Sequence, residues 1–232
     1  MKAPALGNRL LSVADMVRQG ACLADIGTDH AYLPLFLLER GIIESAVCSD
    51  VNEGPLKSAI RNVRERGFSD SIRFVLADGI SEGDVSGVTD IAICGMGGEL
   101  IADIISRAGF LKSRRGIRFI LQPMTRQAYL RTCLAQSGFS VVEERYSFEN
   151  EKYYLAFSVE YTGDARSISN FEAEFGSDFS KESFTPEKIG YFNAKRRALM
   201  RAAEGKIKSG ISEPEELSLL RRLNTIESLS ER

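Results

Sequence analysis

Short apolar runs alternate with longer amphipathic stretches from residue 8 to residue 137. The short runs have the length of buried strands, whereas the longer stretches repeat apolar residues at helical spacing. The predicted strands are Ala21 to Ile26, Ser45 to Ser49, Ile72 to Leu76, Ile91 to Cys94 and Phe119 to Leu121. The predicted helices are residues 8 to 18, 31 to 40, 55 to 66, 99 to 108 and 128 to 137. This alternation predicts βαβ units and a mainly parallel sheet.

Two further strand-like runs, Ser140 to Glu144 and Tyr153 to Val159, follow each other with only a polar loop between them. Strands joined in this way form a hairpin, so they predict an antiparallel strand at the edge of the sheet. The pattern therefore predicts one α/β domain over residues 1–160.

The chain becomes polar beyond that domain, and two new helix starts follow. Thr185, followed by Pro186, begins a stretch with apolar residues at helical spacing. Ser212, followed by Pro214, begins a second stretch of the same kind. We predict that residues 161–232 form a helical appendage whose two main helices make a hairpin.

The charge balance limits how the chain can meet nucleic acid. Lys and Arg number 30 against 32 for Asp and Glu, so a net charge of -2 gives no general attraction to RNA. RNA binding would depend on local basic clusters, although each cluster could equally be a solvated surface. The candidates are Arg61, Arg64 and Arg66; Lys112, Arg114, Arg115 and Arg118; and Lys195, Arg196, Arg197 and Arg201.

Cysteine and histidine usage predicts a reducing compartment and no metal site. The four cysteines lie far apart in the sequence, which favours free thiols over disulfides. His30 is the only histidine, which leaves little for a zinc site or a Ser-His-Asp triad. No apolar run approaches the ~20 residues of a membrane span, and the N-terminus lacks a secretion-signal pattern. We predict a cytoplasmic protein without a membrane partner; its oligomeric state is left open.

The segment A-D-I-G-T-D-H-A-Y-L-P, residues 24–34, carries the strongest chemical signal. Asp25 lies at the C-terminal end of the first strand, where a carboxylate can meet the ammonium of a methionine moiety, and Gly27 follows the strand and lets a ligand approach the backbone. Dinucleotide enzymes place a second glycine where Asp29 stands here, and its charge would repel a pyrophosphate. This favours S-adenosylmethionine over a nicotinamide dinucleotide.

Two more acids end the next two predicted strands. Asp50 ends the second strand, where a carboxylate can bind both hydroxyls of a ribose. Asp78, followed by Gly79, ends the third, where a carboxylate could accept from an adenine amino group. Each acid alone could be a solvated loop residue or a helix cap. Three acids at successive strand ends favour a ligand site, because ligands in open α/β sheets bind outside these ends.

A glycine-rich turn and a Gln-Pro pair follow the fourth and fifth strands. Gly95, Met96 and Gly97 occupy the place where many amino-methylating enzymes have an (Asp/Asn)-Pro-Pro-(Tyr/Phe) tetrapeptide, which is missing here. The glycines would leave a backbone-lined floor for a flat base, although they could also form a plain tight turn. Gln122 is predicted to face the same crevice.

Five motifs together resemble one known family. L-G-N-R-L, D-I-G-T-D-H-A-Y-L-P, N-E-G-P, G-M-G-G and L-Q-P are similar to motifs of the bacterial tRNA (adenine-22)-N1-methyltransferases over about residues 6–160. The resemblance implies a Rossmann-like class I methyltransferase fold, S-adenosyl-L-methionine as methyl donor and N1 of a tRNA adenine as acceptor. Met124 departs from the pattern, because a polar residue is expected after the Gln-Pro pair.

The motifs and the resemblance together give a predicted site. Asp29 and Gln122 are the predicted catalytic residues, with Asp29 supporting the adenine and Gln122 shaping its slot. His30 is predicted to contact the cofactor, and a contact with the RNA and a purely structural role are left open for it. The predicted cofactor contacts are Asp25, Gly27, Asp29, His30, Asp50, Asn52, Asp78, Gly79, Gly95, Met96 and Gly97.

Adenine N1 has a free in-plane lone pair, so alignment would be the main source of catalysis. Because N1 is normally buried in a base pair or a tertiary contact, the base would have to leave its stack. Three other classes of function are left open: a methyltransferase for a protein or small molecule, a non-catalytic RNA-binding module, and an NAD-dependent oxidoreductase. The charge of Asp29 disfavours the last of these.

Overall fold

The computed structural model describes residues 5–114, 116–178 and 184–208. Seven strands in these residues form one sheet. They are β1 (Ala21–Ile26), β2 (Ile43–Asp50), β3 (Ile72–Leu76), β4 (Asp90–Gly97), β5 (Arg118–Thr125), β6 (Phe139–Glu149) and β7 (Lys152–Tyr161). Their order across the sheet is β3-β2-β1-β4-β5-β7-β6.

The predicted α/β class with a Rossmann-like sheet is confirmed. β1 to β5 pair in parallel, β7 pairs antiparallel with β5, and β6 pairs antiparallel with β7 to form the outer edge. The carboxyl ends of the five parallel strands lie on one side of the sheet, here called the carboxyl edge. The strand order reverses between β1 and β4, and a crevice at such a point is where ligands bind in open α/β folds.

Each helix predicted within residues 8–137 is present, with shifted ends. α1 begins at Asn8, its N-cap residue is Gly7, and the side-chain amide of Asn8 donates to the backbone oxygen of Phe148. A 3-10 helix (Gly109–Ser113) was not predicted. The α-helices are α1 (Asn8–Ala14), α2 (Tyr32–Glu39), α3 (Glu53–Glu65), α4 (Gly98–Arg107), α5 (Gln127–Gln136), α6 (Asn170–Phe175) and α7 (Pro186–Lys208).

Two hydrophobic clusters cover the two faces of the sheet. α1, α2 and α3 pack on one face, whereas α4, α5, α6 and α7 pack on the other. β4 contains a bulge near its end: Cys94 pairs with Gln122, and Met96 pairs with the next residue of β5, Pro123. Gly95 is therefore an extra residue in β4, and it adopts a φ of +77°. As a result, Cys94 packs with the cluster on the side of α1, α2 and α3, and Met96 packs with the cluster on the side of α4 to α7.

The part of the chain after β7 is tied to the sheet by a buried polar network. Arg131 of α5 donates to Glu144 of β6 at 3.0 Å and to the backbone oxygen of Ala173 in α6 at 3.0 Å. The hydroxyl of Tyr146 donates to the same carboxylate at 2.8 Å. Lys188 of α7 lies over the ring of Tyr146 at 5.7 Å. The start of α7 therefore packs on the α/β core.

Two predictions about the C-terminal part stay open. The helix predicted to begin at Ser212 lies outside the described residues. The division of the chain after residue 160 remains a prediction. In the described ranges, no helix is both long enough and apolar enough to span a bilayer.

Candidate cofactor and substrate crevice

The loop that follows β1 is fixed by short hydrogen bonds to β2. The backbone N–H groups of Gly27 and Thr28 both donate to the backbone oxygen of Ser49 at 2.8 Å. Gly27 has a φ of +75°, and an added Cβ would lie 2.0 Å from the terminal methyl of Met96. The β1–α2 loop therefore lies directly against the β4–α4 turn, and glycine is required between them for both conformation and space.

Asp25 is a buried acid at the end of β1. Burial raises the pKa of its carboxyl from 3.8 to about 6. The hydroxyl of Thr28 donates to it at 2.6 Å and lowers the pKa, whereas the negative charge of Asp50 raises it. Neither acid has an ion-pair partner among residues 5–114, 116–178 and 184–208. Two neighbouring acids without a counterion favour a cationic ligand.

The acids that follow β2 and β3 differ in their surroundings. Asp50 ends β2 half-buried, and its carboxylate accepts the backbone N–H of Asn52 at 2.7 Å. Asp78 is exposed and pairs with Arg107 at 3.2 Å, while the same guanidinium donates to its backbone oxygen at 3.1 Å. Gly79 follows with a φ of +89° and faces Arg107. Asp78 therefore already has an ion-pair partner. This partner, Arg107, was not predicted from the sequence.

The glycine-rich turn at the end of β4 is supported by a hydrogen bond from its backbone to the side chain of Gln122. The side chain of Gln122 is fully buried, and its amide oxygen accepts from the backbone N–H of Gly95 at 3.1 Å and from Arg9 at 2.6 Å. This oxygen is therefore engaged within the protein, and the amide supports the turn. Arg9 was not predicted, although it lies inside the L-G-N-R-L motif.

Asp29 and His30 lie at the mouth of the crevice. The side chain of Asp29 is 76% exposed, and one of its carboxylate oxygens lies 3.2 Å from Nε2 of His30. His30 and Ala31 both have positive φ values, 61° and 54°, which cost of order 1–3 kcal/mol each in residues other than glycine. Non-glycine residues in this conformation are common at functional sites, so the strain supports the prediction that this loop has a role in function.

The crevice brings most of the predicted residues to one place. Asp25, Asp50 and Asp78 lie at or just after the carboxyl ends of three adjacent strands, and Gly27 contacts the turn that contains Gly95 and Met96. Carboxylates next to a glycine backbone can accept from ammonium, ribose and amino groups, whereas they repel a pyrophosphate. The donor set therefore fits S-adenosylmethionine better than a dinucleotide.

Another cavity of the molecule lies away from the strand-end acids. A cavity of about 820 Å³ lies between α1, β6 and the start of α7, and none of the strand-end acids lines it. Across the described ranges, no group of three His, Cys, Asp or Glu side chains is arranged to hold a metal ion.

The three basic clusters have different surroundings. Arg61 and Arg64 are exposed on α3, whereas Arg66 pairs with Glu39 at 2.9 Å. Arg118, which pairs with Glu160, is the first residue of β5 and so lies at the edge opposite the crevice. In the third cluster Lys195 pairs with Glu174, and Arg197 and Arg201 are exposed on α7. Arg115 lies outside the described residues.

Known proteins resemble this chain in both sequence and structure. Residues 6–157 match the family described as "Methyltransferase domain". The tRNA (adenine(22)-N(1))-methyltransferase of Bacillus subtilis is 36% identical over 152 residues, which cover 64% of this chain and 62% of that enzyme. This alignment therefore spans less than two thirds of the curated relative.

Solved structures also match over nearly the whole chain. Streptococcus pneumoniae Sp1610 in complex with S-adenosyl-L-methionine is 35% identical, with a TM-score of 0.80 and coverage of 96% of this chain and 99% of that one. Mycoplasma capricolum TrmK in complex with S-adenosyl-homocysteine is 26% identical, with a TM-score of 0.72 and 97% coverage of both chains. The chain belongs to the methyltransferase domain family, and within it to the group of the Bacillus subtilis tRNA (adenine-22)-N1-methyltransferase.

Proposed function

We propose that this protein transfers the methyl group of S-adenosyl-L-methionine to N1 of adenine 22 in tRNA. The observation that carries the proposal is the pair of neighbouring, uncompensated carboxylates of Asp25 and Asp50 at the carboxyl ends of β1 and β2, beside the crevice between β1 and β4. Relatives with the same fold support it, since two of them are complexes with the methyl donor or its demethylated product. A tRNA substrate also supports a cytoplasmic location.

The chain's own residues would hold the methyl donor by charge and by backbone shape. Asp25 and Asp29 would meet the ammonium of its methionine part, Asp50 the ribose hydroxyls and Asp78 the adenine amino group. Gly27 and Gly95 would let the ligand lie against the backbone. When bound, the donor supplies an electrophilic methyl group on a sulfonium. His30, Asn52, Gly79, Met96 and Gly97 are the further proposed contacts.

No strong base is needed in the proposed reaction, because adenine N1 is largely unprotonated at neutral pH. The turn from Gly95 to Gly98 would hold the flat base, and Gln122 would fix this turn through its bond to the Gly95 N–H. Asp29 would accept a hydrogen bond from the adenine amino group and stabilise the positive charge that the product carries. Alignment in such a site can be worth effective molarities of roughly 10⁵ to 10⁸ M.

The tRNA itself would be bound outside the crevice. Exposed cations on α3 and α7, namely Arg61, Arg64, Arg197 and Arg201, are the proposed phosphate contacts. The affinity for tRNA is then expected to fall steeply with added salt. A methyltransferase for a protein or small molecule would show no such salt-sensitive tRNA binding.

The decisive experiment uses labelled S-adenosylmethionine and total tRNA, followed by digestion to nucleosides. We expect the label in 1-methyladenosine, and we expect it to vanish from a tRNA transcript in which adenine 22 is replaced by guanine. Label in another nucleoside would replace the proposed acceptor atom. Binding of the cofactor without any transfer to tRNA would favour a non-catalytic module or a different substrate.

A further inference from the structure

Two aromatic rings are stacked at the mouth of the crevice. The rings of His30 and Tyr32 lie 5.2 Å apart between centroids, with an angle of 16° between their planes. Tyr32 is 42% exposed, so part of its ring is open to solvent. The two rings are called here the His30–Tyr32 platform.

The platform stands on a rigid base. The side-chain amide of Asn62 in α3 donates to the backbone oxygen of His30 at 3.0 Å, which ties the loop to a second helix. Ala31, which lies between His30 and Tyr32 in the sequence, is fully buried, and its φ of 54° fixes the direction in which the chain enters α2. A ring held in this way loses little conformational entropy when a ligand stacks on it.

The platform borders the place where the target base must lie. Gly27 of the same loop contacts Met96 of the glycine-rich turn, which is the proposed floor of the adenine slot. Asp29, next to the platform, is negatively charged and exposed, so it disfavours a phosphate at this position. A neutral nucleobase fits both the carboxylate, through its amino groups, and the flat ring.

We propose that a nucleobase of the tRNA stacks on Tyr32 of the His30–Tyr32 platform while the adenine is methylated. The inference rests on the proposed function and adds to it a contact that reads an unstacked base. Single-stranded and extruded bases are bound in this way because every base offers a flat π-face to an aromatic ring. The stacked base is either the extruded adenine itself or one of its two neighbours.

The chain contains no tryptophan, so Tyr32→Trp introduces a single fluorescent reporter in the platform. We expect saturating tRNA to quench its emission. Tyr161→Trp is the matched control, because Tyr161 is 39% exposed and ends the antiparallel strand β7. It therefore lies on the side of the sheet opposite the carboxyl edge. Transcripts with an abasic site at position 21, 22 or 23 identify the stacked base, since only the loss of that base restores the emission.

Kinetics provide the second measurement. Removal of an aromatic ring that stacks on a base weakens binding by roughly 5- to 150-fold, about 1–3 kcal/mol. We therefore expect Tyr32→Ala to raise KM for tRNA within this range, and Tyr32→Phe to recover most of the loss because it keeps the ring. Tyr161→Ala should change KM less than twofold.

The results also separate the platform from the proposed function. If the wild-type protein methylates adenine 22 but tRNA leaves the emission of the Tyr32→Trp variant unchanged, or quenches it no more than that of the Tyr161→Trp variant, the platform is refuted alone. Equal KM values for Tyr32→Ala and Tyr161→Ala would refute it as well. If the wild-type protein methylates no tRNA, the proposed function fails first.

Discussion

Replacement of Asp25 by asparagine should stabilise the free protein at neutral pH. The pKa of this carboxyl rises from 3.8 to about 6 on folding. The free energy of unfolding is therefore about 3 kcal/mol lower with the carboxylate charged than with the carboxyl protonated. The folded state binds the proton more tightly than the unfolded chain, so Asp25 favours folding most at pH values below about 4. This contribution is lost as the pH rises through about 6. An amide carries no charge, so the substitution removes the loss.

The assay is urea unfolding of the wild type and Asp25→Asn between about pH 4 and pH 8, without cofactor. The difference in unfolding free energy should grow in favour of the variant by up to about 3 kcal/mol. In a thermal melt near neutral pH, this difference corresponds to a rise in Tm of roughly 6–12 °C. Asp70→Asn, an exposed acid in the α3–β3 loop, is the control and should show no comparable growth. A difference that stays constant across this pH range would refute the assignment of the raised pKa to Asp25.

Three further substitutions test other parts of the structure. Glu144→Gln leaves the buried cation of Arg131 without its partner charge, so thermal unfolding should show a loss of about 3–5 kcal/mol; a change below about 1 kcal/mol would contradict this. Gly98→Ala puts a Cβ 2.5 Å from the backbone oxygen of Arg126, and a loss of about 1–3 kcal/mol is expected by urea unfolding, whereas unchanged stability would show that the loop yields freely. Asp29→Ala should lower kcat for tRNA methylation about tenfold or more at saturating substrates, and an unchanged kcat would remove its catalytic role.

The sequence predicted the parallel part of the fold well, because local signals and tertiary packing agree there. β1 and β3 have the predicted bounds, since each is a short apolar run ended by glycine or polar residues. α6 was missed because it has only six residues and depends on the packing of Phe175 in the core. One signal in the sequence could have revealed it: Ser169 and Glu172 have the Ser-x-x-Glu spacing that is typical of a helix start. In the structure the side chain of Ser169 accepts the backbone N–H of Glu172.

The candidate site was predictable where it depends on strand ends and not where it depends on helix packing. Asp25 and Asp50 lie at the carboxyl ends of their strands, so the parallel topology alone brings them to one edge. Arg9 lies 113 residues from Gln122 in the sequence, and its contact follows from how α1 packs on the sheet. No local pattern reports such a distance, which is why the support of the glycine-rich turn was missed.

The unpaired residue in β4 gives position 95 a different tolerance to loss than to replacement. In a regular strand the side chains alternate between two faces, so a deletion reverses every side chain that follows. Because Gly95 is the extra residue opposite β5, its deletion would leave Met96 directly after Cys94, still on the opposite face and still over Gly27. A replacement at position 95 would instead have to adopt a φ of +77°, which residues other than glycine rarely do. For protein engineers, the composition of this turn is therefore a stricter requirement than its length.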